Sequence, residues 1–133
     1  MKNLHLNIHP ELIYYPIVDF NYQTGILEIS GESYMEETYN FYEPVISWIR
    51  EYLAEKKPVT FNIKLTYFNT SSSRFILEII DILKYYKDRK GNVAVNWFYK
   101  KQDPDMLNEI NDFIKETGME INVHTFDDMW NTK

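Results

Sequence analysis

The sequence predicts a single α/β domain in the order β-β-α-β-α-β-α-β, with a mixed five-stranded sheet and helices mainly on one face. Three observations carry this expectation. Apolar residues switch along the chain between a period of two and helical spacing, the signatures of strands and helices. After an opening hairpin, strand and helix patterns alternate, which implies right-handed crossovers between neighbouring parallel strands. The chain has 133 residues, no Cys, four Gly and five Pro, and 17% of it is Phe, Trp or Tyr. That is enough to close one core without staples, and too aromatic and too poor in Gly and Pro for disorder.

The elements follow in order. Residues 1–12 form an N-terminal arm with no assigned structure. Ile13 to Phe20 is β-branched and aromatic, with Pro16 confining its first half to an edge. Tyr22-Gln23-Thr24-Gly25 is a turn with a positive φ expected at Gly25, and Ile26 to Ser30 is the returning strand, ended by Gly31. Ser33 and Glu36 have the spacing of a capping box. Phe41, Val45, Trp48, Ile49, Tyr52 and Leu53 then mark a helical face, with Pro44 either kinking the helix or opening its first turn. Val59, Phe61, Ile63, Leu65 and Tyr67 alternate with Thr60, Asn62, Lys64 and Thr66, a strand with one wetter face.

Asn69 to Ser73 is a run of good N-cap residues, followed by a helix whose apolar face is Phe75, Ile76, Ile79, Ile80, Leu83 and Tyr86. A charged turn containing Gly91 leads to a strand over Val93 to Tyr99. Asp103-Pro104 is a strong helix start, and Met106, Leu107, Ile110, Phe113 and Ile114 form a face that Gly118 stops. Met119 to Phe126 is the last strand. The domain thus spans residues 13–126, and 127–133 is a polar tail.

Composition narrows the function. The net charge of −6 is unsuited to a general binder of nucleic acid or anionic membrane, which needs a basic surface. Residues 1–100 hold 12 acids and 11 bases, whereas 101–133 hold 8 and 3, so the acidity collects late, as on a solvated helix face and tail. No apolar run has the length of a signal or membrane segment, and a cytoplasmic location is expected. The charge, with no heptad seam, is consistent with a monomer. Without Cys there is no thiol nucleophile or thiolate metal site. His5 and His9 lack a nearby carboxylate pattern and His124 reads as a hydrogen-bonded structural residue on the last strand, so no metal or cofactor is expected. Glycines at 25, 31, 91 and 118 are too scattered for a phosphate loop.

One constellation remains, Tyr67-Phe68-Asn69-Thr70-Ser71-Ser72-Ser73-Arg74, where a strand hands over to a helix. A helix N-terminus presents unpaired N–H groups and partial positive charge, so it tolerates a phosphate. The hydroxyl run has three readings: simple capping, a modifiable hydroxyl, or a nucleophile using a base such as His124 or Glu32. A ligand cleft lined by Trp97, Tyr99 and Tyr67 is a further alternative, set against ordinary sheet packing.

Gly31-Glu32-Ser33-Tyr34, Phe41-Tyr42 with Trp48, Leu65-Thr66-Tyr67-Phe68-Asn69-Thr70-Ser71-Ser72, and Val95-Asn96-Trp97-Phe98-Tyr99 before an acidic helix resemble the SiaC family of bacterial regulatory phosphoproteins. The resemblance covers roughly residues 13–126 and departs at Met35-Glu36-Glu37, where many relatives have Pro-Glu-Asn. It implies a STAS-like fold, similar to anti-anti-sigma factors. It also implies a phosphoacceptor at Thr70. Around it, Asn69, Ser71 and Ser72 are expected to shape the helix N-terminus, with Tyr67, Phe68 and Arg74 as candidate partner contacts. The implied partners are a protein kinase, a PP2C-type phosphatase and a diguanylate cyclase. The unphosphorylated form would bind the cyclase and promote cyclic-di-GMP synthesis and biofilm behaviour, with no catalysis by the chain itself.

Overall fold

The structure is a computed structural model that describes residues 1–7 and 14–126. The expected strand start at Ile13, residue His9 and the polar tail 127–133 lie outside the described residues. The elements are β1 (Leu4–Leu6), β2 (Ile17–Asn21), β3 (Ile26–Ser33), α1 (Thr38–Ala54), β4 (Val59–Phe68), α2 (Thr70–Asp88), β5 (Val93–Lys100), α3 (Pro104–Thr117) and β6 (Asn122–Phe126). The sheet order is β1-β2-β3-β4-β5-β6. The β1/β2 and β2/β3 pairs are antiparallel, and the remaining three are parallel.

The sheet is mixed, as expected, but has six strands among the described residues rather than five. The extra strand lies in the N-terminal arm, where Leu4, His5 and Leu6 pair with Phe20, Asp19 and Val18. Three residues are too few to show a period, and this strand is held from outside itself. Asn3 Oδ1 accepts the Tyr22 N–H at 2.8 Å, and the Lys2 carbonyl accepts from Trp48 Nε1 at 2.9 Å.

The helices bank on one face. Val18, Phe20, Leu27, Ile29, Phe61, Ile63, Leu65, Val95 and Trp97 turn inward and are essentially fully buried. They meet Val45, Ile49 and Tyr52 of α1, Ile76, Ile79, Ile80 and Leu83 of α2, and Met106, Ile110 and Phe113 of α3 in a single core. The opposite face is polar. The register sets His5, Asp19, Glu28, Asn62, Asn96 and Asn122 side by side across all six strands. Asn122 Nδ2 donates to Asn96 Oδ1 at 3.1 Å, Asn96 Nδ2 donates to Asn62 Oδ1 at 2.9 Å, and Lys64 Nζ pairs with Glu28 at 3.0 Å. Such cross-strand pairs satisfy a face that no described helix covers.

Two local expectations fail near the site. Gly31 does not end the second hairpin strand. With φ of 95° it forms an irregularity before Glu32, after which Glu32 and Ser33 pair with Tyr67 and Phe68. Ser33 is therefore a strand residue and not a cap. The helix starts at Thr38 after Glu37, which makes no side-chain cap bond. Pro44 lies inside α1; Pro44 and Asn40, whose carbonyl it deprives of a helical donor, are both exposed. Two further boundaries move: β2 begins at Ile17, after Pro16, and β6 begins at Asn122, leaving buried Met119 and Ile121 as a packed lead-in.

Candidate functional site

The strand-to-helix junction forms as its residue types require. Asn69 has extended geometry (φ −85°, ψ 176°), and its Oδ1 accepts the Ser72 N–H at 2.8 Å. A cap of this kind is worth about 1 kcal/mol. The Asn69 N–H donates to the Ser33 carbonyl at 3.0 Å, so the end of β3 clamps the cap. The Ser73 N–H closes the first helical turn on the Asn69 carbonyl at 2.9 Å.

That geometry sorts the hydroxyl run. Thr70 and Ser71 are exposed, Ser73 is half-buried with its hydroxyl donating to the Thr70 carbonyl at 2.7 Å, and Ser72 is fully buried. Below the surface, Ser33 Oγ donates to Ser72 Oγ at 2.8 Å and lies 2.7 Å from Tyr42 Oη. Each hydroxyl has one proton, so Tyr42 must be the donor to Ser33. The chain Tyr42–Ser33–Ser72 fastens α1, β3 and α2 together beneath Thr70. Ser33 and Tyr42 were not marked as site residues by the sequence, because the irregularity at Gly31 that turns Ser33 inward depends on pairing with β4, more than 30 residues away.

Burial pushes the Tyr42 phenol up to about 12, against a partial lowering by the neighbouring Ser33 and Ser72 hydroxyls. The unfolded chain ionises this group near 10. Between these values the native state holds more protons than the unfolded state, so stability falls as pH rises from about 10 to about 12. The loss is on the order of 2–3 kcal/mol. Tyr42→Phe is expected to cost roughly 1 kcal/mol at pH 8 through the missing bond. It should also remove much of the alkaline loss, as measured by urea unfolding at pH 8 and pH 11.

The other candidate residues surround this junction. Tyr67 is 51% exposed and meets Tyr34 edge-on with ring centroids 5.3 Å apart. Phe68 is buried against Trp97 and Phe113. Arg74 is exposed, one turn beyond Thr70 on the same helix face. Trp97 is fully buried, packed on Phe113 at 5.3 Å, so Trp97, Tyr99 and Tyr67 do not line a common cleft. A hydroxyl nucleophile needs a base within hydrogen-bond reach. Among the described residues, no hydrogen bond joins the Thr70 or Ser71 side chain to an imidazole or carboxylate. His124 instead stacks on Phe98, with centroids 4.8 Å apart. No described helix is long and apolar enough to cross a membrane.

The described residues thus form a mixed sheet with three helices on one face and an exposed hydroxyl pair at a capped helix N-terminus, surroundings that accommodate a phosphate. The sequence matches the SiaC family of regulatory phosphoproteins over residues 10–126, and the chain belongs to that family. It is 26% identical, over 96% of its own length and all of the other's, to an uncharacterized protein of Pseudomonas aeruginosa (strain UCBPP-PA14). Among solved structures it is similar to SiaC of Pseudomonas aeruginosa crystallised with the diguanylate cyclase SiaD, which SiaC activates. The TM-score there is 0.85 at 25% identity, covering 92% of this chain and 99% of the other. Apo-SiaC from the same organism gives a TM-score of 0.83 at 27% identity, covering 93% and 99%. The fold is thus the SiaC fold.

Proposed function

We propose that this chain is a non-enzymatic, cytoplasmic switch protein whose Thr70 hydroxyl is phosphorylated by a protein kinase and restored by a PP2C-type phosphatase. The unphosphorylated form docks on a diguanylate cyclase and raises its output. The observation that carries this reading is the position of Thr70: an exposed hydroxyl on the first residue of α2, in a member of a family of regulatory phosphoproteins. The solved complex of a relative with a cyclase that it activates supports the choice of partner.

The physical argument runs through charge. A phosphate adds about −1.5 to −2 at pH 7. The N-terminus of α2 and Arg74 offset part of it, so the fold tolerates the modification. A partner seated on the junction must strip water from the phosphate, and docking weakens. Phosphopeptide mapping of the chain purified from its native host should place the phosphate on Thr70, and Thr70→Ala should remove it. Undiminished phosphate in Thr70→Ala would overturn the assignment.

A further inference from the structure

The segment that enters β2 and the segment that leaves β3 close around an open cavity of about 520 Å³, lined by Tyr14, Tyr15, Tyr34, Met35, Glu36 and Glu37. The Tyr34 N–H donates to the Tyr14 carbonyl at 3.0 Å and ties the two segments together. All three tyrosines are half-buried, and their rings stand in one group. Tyr14 meets Tyr15 with centroids 5.4 Å apart and Tyr34 at 5.7 Å, and Tyr34 leans on Tyr67 at 5.3 Å. Met35 is buried, whereas Glu36 and Glu37 are exposed. Neither carboxylate has an ion-pair or hydrogen-bond partner among the described residues.

Rings and carboxylates together select a charge. The face of an aromatic ring is negative and attracts an ammonium ion, more strongly where water is excluded. Two unpaired carboxylates add to that attraction and repel an anion. A metal ion is a poor match, because among the described residues no group of three or more His, Cys, Asp or Glu is placed to hold one. The volume lies within the ~300–1,000 Å³ of ordinary ligand sites. The place, outside the carboxyl end of β3, is where open α/β sheets take ligands. We propose that this cavity binds a small organic ammonium ion, its alkyl groups against the rings of Tyr14, Tyr15 and Tyr34 and its charge compensated by Glu36 and Glu37. A lysine side chain of another protein carries the same chemistry, and the test separates the two sources. The inference does not rest on the switch at Thr70.

The isotope-labelled full chain is titrated with choline, with its neutral isostere 3,3-dimethyl-1-butanol, and with Nα-acetyl-lysine methylamide. Choline should perturb the amides of Tyr14, Tyr15 and Tyr34 to Glu37, and its methyl protons should move upfield under the ring currents. It should bind about tenfold more tightly than the isostere. The double variant Glu36→Gln, Glu37→Gln alters two exposed positions and should weaken choline by about three- to tenfold. The double variant Asp112→Asn, Glu116→Gln removes the same charge from exposed positions on α3 and should leave choline binding unchanged. Equal binding of choline and its isostere, equal losses in the two double variants, amide changes centred elsewhere, or no saturable binding of choline would overturn the site. Tighter binding of the lysine derivative at the same amides would overturn the choice of a free solute.

Discussion

Thr70→Asp is expected to lower the affinity of the chain for the diguanylate cyclase proposed as its partner by roughly 5- to 150-fold, the range of ordinary coupling energies of about 1–3 kcal/mol. Fold stability should barely move. Thr70 is exposed on the first residue of α2, and its side chain makes no hydrogen bond within the described chain. A carboxylate there meets the positive end of the helix and gains about 0.3–1 kcal/mol. Binding isothermal titration together with a thermal melt separates the two effects. Lost binding in a chain that melts at or above the wild-type temperature is the expected pattern. Unchanged binding would mean that charge at this position does not reach the partner.

Ser72→Asp, two residues along, should behave in the opposite way. Ser72 is fully buried, its N–H is held by Asn69, and its hydroxyl accepts from Ser33 above Tyr42. A carboxylate in that space loses its hydration and faces hydroxyls fixed in a chain, with no cation among the hydrogen-bond partners of this network. An uncompensated buried charge costs several kcal/mol, on the order of 3–5. That is a large fraction of a typical domain stability. Chemical denaturation should show the loss, and Ser71→Asp, at an exposed neighbour, should not. Equal destabilisation at 71 and 72 would contradict the sorting of hydroxyls that the site depends on.

Much of this junction was legible in the sequence because its signals are local. Asn69 caps α2 through its own side chain, so a run of capping residues after an alternating strand sufficed to place it. The helix start at Asp103-Pro104 was legible for the same reason: Asp103 accepts from Met106 N–H at 3.2 Å and Pro104 takes the first turn. The alternation of Val59 to Leu65 likewise announced one buried and one wet face.

The misread features depend on distant partners. Ser33-x-x-Glu36 has the spacing of a helix cap, but pairing with Phe68 after the irregularity at Gly31 makes Ser33 the last residue of a strand. β1 is three residues long and exists through Phe20, Asp19 and Val18. Phe68 and Arg74 were picked out as contact candidates, but the open groove between α2 and α3 that they share with Phe113 and Asp112 brings together helices far apart in sequence, which no local pattern encodes.

The central claim is that one hydroxyl, on Thr70, decides whether the chain activates its partner. The direct measurement is cyclic-di-GMP synthesis by the diguanylate cyclase proposed as its partner, assayed with the protein phosphorylated stoichiometrically at Thr70 and with the same preparation after phosphatase treatment. The account predicts stimulation by the dephosphorylated chain and output near the cyclase's basal rate with the phosphorylated one. Equal stimulation by both forms would contradict it.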